Sequence, residues 1–204
     1  MKNLETEFKW EVTCGTDFRR AKGVFAALSK MSAPVNLKIC DTYLDHADER
    51  FAKEKIAFRV RKVNGIWQAT FKTRSEIKNG KAVRREETLP LPSVHSVTQA
   101  LAYLTQKKTW KKLDVRDLQK RFVIKNHRRA FNLIYKKCQA ELALDTFVIF
   151  AGGHEMKIRE IELELKHGNA KDFEELAARF TAQSGLSFST ISKVKTAEAL
   201  RAME

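Results

Sequence analysis

Apolar residues recur along this chain at two periods, every second position in some stretches and every third or fourth in others, and the switches divide it into elements. From Leu4 to Val12 the period is two: Leu4, Phe8, Trp10 and Val12 share one parity, while Glu5, Glu7, Lys9 and Glu11 share the other. That predicts a strand with one core face and one ionic face. Thr16 or Asp17 then caps a helix carrying Phe18, Ala21, Phe25 and Leu28 at helical spacing, closed by Pro34. A second strand spans Val35 to Asp45, and a third and fourth flank Asn64-Gly65, the signature of a tight β-hairpin. A turn at Asn79-Gly80 leads into a fifth strand, Val83 to Leu91, ended by Pro90 and Pro92. Ser93 is placed to cap a helix running to Gln106, followed by a basic helical stretch from Trp110 to Lys120. Three long strands follow, Phe122 to Tyr135, Gln139 to Phe150 and Met156 to Lys166, the last two joined at Gly152-Gly153. Asn169 with Asp172 opens a helix carrying Phe173, Leu176, Ala177 and Phe180, stopped by Gly185, and the tail ends in a short helix from about Thr196.

Eight strands joined by hairpin signals, with four or five helices between them, predict an α+β fold whose antiparallel sheet closes into an eight-stranded barrel. At 204 residues the chain suits a single domain, residues 1–204, with helices packed on the outside of the barrel. The polar parity of the strands shows what faces inward. Alongside the first strand, Arg159 to Lys166 alternates Glu160, Glu162, Glu164 and Lys166 with Ile161, Leu163 and Leu165. Two acidic ladders repel unless cations oppose them. The middle strands supply those cations: Arg59 and Arg61, Lys72 and Arg74, and Arg84 beside Glu86. In the sixth strand Phe131, Leu133 and Tyr135 share the apolar face, which assigns Arg128 rather than Arg129 to the ionic one; the seventh adds Glu141 and Asp145. So many ions cannot form a dry core, and the expected barrel has a wet, charged interior beneath an apolar exterior.

Charge and cysteine content narrow the picture further. The net charge is +14, and the segment from Lys107 to Lys137 holds twelve Lys or Arg against Asp114 and Asp117. That segment fits an anionic partner, RNA or polyphosphate, and equally a solvated basic helix and loop. Cys14, Cys40 and Cys138 are odd in number and lie in apolar stretches, as expected of buried, reduced thiols. No stretch has the length of a membrane span and no apolar run follows Lys2, so the expected location is the cytoplasm. Trp10, Trp67 and Trp110 are read as core or rim packing.

Clustered glutamates without His or Cys suit a hard divalent ion, Mg²⁺ or Mn²⁺, and the facing arginines and lysines suit an anion rich in oxygens. Together they suggest phosphoryl chemistry. The Glu-x-Glu-x-Lys of Glu5, Glu7 and Lys9, the Arg-x-Arg of Arg59 and Arg61, the Thr-x-Lys of Thr70 and Lys72, and the late Glu-x-Glu-x-Lys of Glu162, Glu164 and Lys166 resemble the CYTH, or triphosphate tunnel metalloenzyme, family. Asp41-Thr42-Tyr43-Leu44-Asp45 resembles its second-strand motif, and Ser192-Lys193 its C-terminal Ser-Lys. The resemblance implies an eight-stranded tunnel that binds a small triphosphate with divalent metal. It implies metal-ligand or water-orienting roles for Glu5, Glu7, Glu162 and Glu164, with Glu86, Glu141, Asp145 and Glu160 completing the acidic set. Lys9, Arg59, Arg61, Lys72, Arg84, Arg128 and Lys166 would hold phosphate, with Lys193 near the tunnel mouth as a catalytic candidate beside Glu5 and Glu7. One departure is that Thr88 stands where many relatives carry a further acid, with Glu160 as the candidate replacement. The implied activity is hydrolysis of a terminal phosphate, with inorganic tripolyphosphate the first choice of substrate. Thiamine triphosphatase and class IV-type adenylyl cyclase are the enzymatic alternatives, and a basic RNA- or polyphosphate-binding module is the non-enzyme alternative; the sequence leaves open whether the chain forms a homodimer.

Overall fold

The computed structural model describes residues 3–73, 76–78, 80–106, 114–189 and 192–203. Arg74, Asn79, Trp110 and Lys107 to Leu113 therefore lie outside the described residues. The element order is β1 (Asn3–Glu11), α1 (Gly15–Leu28), β2 (Lys30–Met31), β3 (Val35–Asp45), α2 (Arg50–Lys53), β4 (Ala57–Val63), β5 (Ile66–Lys72), β6 (Glu76–Lys78), β7 (Lys81–Pro90), α3 (Val97–Gln106), β8 (Gln119–Tyr135), β9 (Cys138–Ala151), β10 (His154–Gly168), α4 (Ala170–Ser184) and α5 (Lys193–Arg201).

Eight of these strands follow one another around an antiparallel sheet in the order β1-β10-β9-β8-β3-β4-β5-β7, and β7 pairs back with β1 to close the barrel. The short β2 and β6 pair outside this circuit, with β8 and β7. The hairpin between β4 and β5 turns through Asn64 and Gly65, at φ 47° and 96°, the positive values a two-residue turn of this hand requires.

Apolar side chains lie mainly on the outside of the barrel, in two clusters. Phe8 and Trp10 of β1, Phe131 and Leu133 of β8, Leu142 of β9 and Leu163 of β10 pack beneath α1 and α4, which contribute Phe25, Phe173 and Phe180. Trp10 is fully buried, meets Phe180 edge-on and donates its indole N–H to Thr181 at 2.9 Å. On another flank Phe58, Val60 and Ala69 pack against Ala100 and Leu104 of α3.

A third cluster corrects the expectation of an interior wet throughout. Tyr43, Phe122, Ile124, Phe147 and Ile149 share strand parity with the inward charges, and Ala197 and Leu200 of α5 pack onto them. Phenyl and aliphatic groups thus fill one end of the barrel, leaving the charged zone to the remainder.

Several local expectations also change. Asp17 sits inside the first turn of α1 rather than before it, and its Oδ2 accepts from the backbone N–H groups of Thr13 and Cys14. Cys14 is consequently exposed, Cys40 is half-buried, and Cys138 alone of the three is buried. Ser93 does not cap α3: it lies at φ 59°, the helix begins at Val97, and Ser96 Oγ accepts from Gln99 N. Helix α5 starts at Lys193 rather than Thr196 because Ser192 caps it. Leu4, expected in the core, is 62% exposed, and Glu11 is exposed at the end of its strand. Among the described residues no helix is long and apolar enough to cross a membrane.

Candidate active site

The antiparallel register brings the inward side chains into cross-strand pairs. Glu5 stands opposite Arg84, Lys9 opposite Glu162, Lys72 opposite Glu86, and Arg128 opposite Asp145. Glu5, Glu7, Lys9, Arg59, Arg61, Lys72, Arg84, Glu86, Arg128, Glu141, Glu162, Glu164, Lys166 and Lys193 line a cavity of about 1850 Å³ inside the barrel. Asp145 and Glu160 share the inward parity but are buried, 0% and 4% exposed, and meet the cavity through Lys193 rather than lining it.

The charges interlock in three groups. In the first, Lys72 Nζ lies 3.2 Å from both oxygens of Glu5 and also pairs with Glu86, while Arg84 bridges Glu5 and Glu7, 2.9 Å from the latter. In the second, Arg128 donates to Asp145 at 2.8 and 2.7 Å and to Glu162 at 2.6 Å. Lys193 Nζ adds contacts of 2.5 Å to Glu160, 2.8 Å to Glu162 and 3.2 Å to Asp145, and Lys9 Nζ lies 2.6 Å from Glu162. In the third, Arg61 forms a fork with Asp41 at 2.5 and 2.7 Å, and Arg59 reaches Asp41 at 3.4 Å and the Tyr43 hydroxyl at 3.3 Å. Lys166 is at the rim, 37% exposed, 2.8 Å from Glu164 and 3.9 Å from Glu141.

These neighbours set the protonation states. Burial pushes the Glu162 carboxyl up, but Lys193, Lys9 and Arg128 outweigh it and hold it well below the usual carboxylate range. Glu5 is likewise held low against burial by Lys72 and Arg84. Glu160 goes the other way: burial and the adjacent Glu162 raise it to about 7, more than Lys193 and Lys9 can offset. Lys72 is lowered to about 8 by burial and by the nearby Arg59 and Arg84, against the pull of Glu5 and Glu86. Asp41 rests at about 2, since Arg59 and Arg61 overcome its burial.

Asp41 is a site residue that parity alone did not assign; the signal was present in its motif, but its strand alternates weakly. Its role here is to orient two guanidinium groups. Asp45, in the same motif, is instead structural, its carboxylate accepting from the backbone N–H groups of His46, Phe51 and Ala52. Asn126, two residues before Arg128, was also missed: it is 6% exposed, lines the cavity, and its Oδ1 accepts no hydrogen bond. Arg59 Nε is likewise buried without an acceptor. Thr88, at the departure from the family pattern, meets Thr70 Oγ1 at 3.1 Å and donates to Glu86 at 3.2 Å. Glu160 does not replace the missing acid there, because it packs with Asp145, Glu162 and Lys193. Oxygens of Asp145, Glu160 and Glu162 all lie within 4.8 Å of one another, an all-carboxylate group of the kind that hard divalent ions occupy.

The CYTH domain family matches residues 3–197. An inorganic triphosphatase from Haemophilus influenzae is 31% identical over 160 residues, covering 78% of this chain and 45% of that protein. The chain thus spans less than half the length of that relative. Among solved structures, a Hippeastrum protein described as a candidate adenylyl cyclase that reveals a dominant triphosphatase activity superposes with a TM-score of 0.66 at 15% identity, covering 96% of this chain and 95% of its own. A Pyrococcus horikoshii protein superposes with a TM-score of 0.59 at 16% identity, covering 94% and 97%. At those identities the likeness concerns the fold, and it agrees with the closed tunnel described above. The match over nearly the whole chain, on the strands that carry the paired charges, makes this chain a member of the CYTH family.

Proposed function

We propose that this chain is a metal-dependent triphosphatase that releases the terminal phosphate of a small triphosphate, with inorganic tripolyphosphate as preferred substrate. The observation that carries the reading is the cavity inside the closed barrel, in which Arg59, Arg61, Lys72, Arg84 and Arg128 converge opposite a dense set of carboxylates. Planar guanidinium forks match phosphate oxygens bidentately. A chain of phosphates is the small anion whose repeated oxygens can engage that many forks at once.

The donor set fits a hard divalent cation. Every candidate ligand is a carboxylate, three converge at Asp145, Glu160 and Glu162, and Glu7 Oε1 and Glu160 Oε2 are buried without an aligned hydrogen bond. Glu5, Glu7, Glu162 and Glu164, with Glu86, Glu141, Asp145 and Glu160 around them, would hold Mg²⁺ or Mn²⁺. When bound, such an ion neutralises phosphate oxygens and orients the phosphoryl group for in-line attack. The protein's own groups do the rest. Arg59 and Arg61, braced by Asp41, and Lys72, Arg84 and Arg128 bind the phosphate chain. Lys193 and Lys9 favour the ionised form of Glu162, whose carboxyl is held low against its burial. A carboxylate of the Glu5–Glu7 pair orients the attacking water.

A panel of tripolyphosphate, thiamine triphosphate and ATP, assayed for released phosphate with Mg²⁺ or Mn²⁺ and for cyclic AMP alongside, tests the reading. Fastest phosphate release from tripolyphosphate is expected, with a loss of about a hundredfold in Glu7→Gln. Cyclic AMP and pyrophosphate from ATP, with tripolyphosphate left intact, would overturn it.

A further inference from the structure

The described part of the sequence's basic segment, from Asp114 to Lys137, does not stay together in the fold. Arg116 pairs with Asp114, Arg121 with Glu49, Lys136 with Glu175, and Arg128 points into the tunnel. What the fold assembles instead is a wall. Where the outer face of β4-β3-β8-β9-β10 is left uncovered by the described residues between the two outer helix-covered clusters, it presents Lys62, Lys38, Lys125, Arg129, Lys157 and Arg159, all exposed, with His127 at the centre. Cross-strand register spaces them across the face: Lys38 faces His127, Cys40 lies between Lys62 and Lys125, and Val148 lies between Lys125 and Lys157. The patch crosses four inter-strand steps, about 19 Å, and successive outward residues on one strand stand about 7 Å apart.

None of these six side chains forms an ion pair with a described residue, in contrast to the tunnel. On the outward parity of the five strands the one carboxylate is Glu155. Exposed cations gathered on one face with a single carboxylate among them give the wall a positive potential that attracts an anion. Two half-buried aromatic rings flank the cations: Lys62 Nζ lies 5.4 Å above Trp67 and Lys125 Nζ 5.0 Å above Phe150.

We propose that this outer wall is a binding surface for single-stranded nucleic acid, separate from the tunnel. Its cations track the phosphates, and Trp67 and Phe150 offer planes on which bases stack once their lysines turn to the backbone. Spaced cations interleaved with aromatic rings favour a polymer with bases over a bare phosphate chain, which has no use for the rings. The proposal does not rest on the triphosphatase reading, because the two faces of the sheet share no side chain.

The test is fluorescence anisotropy of the full chain with labelled twenty-nucleotide RNA and DNA strands, at 50 to 200 mM salt. Engagement of six phosphates gives a slope of log affinity on log salt of about −4, and Lys38→Glu/Lys125→Glu/Arg159→Glu reduces its magnitude by about two while phosphate release is unchanged. Phe150→Leu, which keeps apolar volume but removes the ring, weakens oligonucleotide binding about tenfold, within the range of a lost base stack. Arg59→Ala, which disables the tunnel, leaves oligonucleotide affinity intact. Absence of saturable binding at 50 mM salt, or full affinity in the triple variant, would overturn the proposal. So would inorganic polyphosphate binding to the same wall at equal charge with the affinity of the oligonucleotides and Phe150→Leu without effect, an outcome that assigns the surface to a bare phosphate chain.

Discussion

Arg128 and Arg129 are neighbours in sequence and inhabit opposite electrostatic worlds. Arg128 points into the barrel, where Asp145 and Glu162 accept its hydrogen bonds and Glu141 stands 3.6 Å away. Arg129 points outward, with its guanidinium carbon 5.8 Å from the Phe131 ring centre and no carboxylate in ion-pair range among the described residues. The pleat alone separates them. Inside, withdrawal from water makes each charge costly unless it is matched, and the fold matches nearly all of them; outside, solvent screens the wall and no matching is required.

Removing each member of the pair sharpens that contrast. Arg128→Ala takes from the fully buried Asp145 its two guanidinium hydrogen bonds and leaves Lys193 as its remaining cation, and should destabilise the fold by about 3 kcal/mol in urea or thermal unfolding. An unchanged unfolding midpoint would mean that water reaches this carboxylate freely. The Asp41 fork comes next. Its carboxyl lies at about 2 in the folded chain against an ordinary 3.8, so its ionised form contributes about 2 kcal/mol, present above pH 3.8 and lost as pH falls through 2. Asp41→Asn should therefore lower stability clearly at pH 7, with the gap to the unaltered chain closing towards pH 2. A gap that did not depend on pH would contradict the ionic account of this fork. Smallest of all is Arg129→Ala, expected within about 0.5 kcal/mol of the unaltered chain by the same unfolding measurement.

The antiparallel barrel, its hairpins and the choice of Arg128 over Arg129 follow from patterns visible in the chain, because alternation in a strand and turn residues between strands are local properties, whereas the pairing of β3 with β8 and of β1 with β10 joins distant segments. Helix starts were less legible. Ser93 is followed two residues on by His95 and then Ser96, and which serine caps depends on the backbone leaving Pro92 in a left-handed turn at Ser93. The apolar plug was hidden because Tyr43, Phe122 and Phe147 look like ordinary core residues, and the short α5 gives little sign that Ala197 and Leu200 pack onto the barrel interior. Asn126 and Asp41 were obscured for a different reason. Their importance comes from distant neighbours, Arg59 and Arg61 across one ladder and the open cavity beside the other, and no spacing within a single strand encodes that.

Initial rates of phosphate release from tripolyphosphate, titrated with Mg²⁺ or Mn²⁺ and then with chelator, for the unaltered chain, Glu162→Gln and Arg129→Ala, probe both faces of the sheet in one experiment. The account predicts turnover that vanishes on chelation, falls about a hundredfold in Glu162→Gln and persists in Arg129→Ala. Turnover that survives chelation, or that is lost from the outer variant while the inner one retains it, would contradict it.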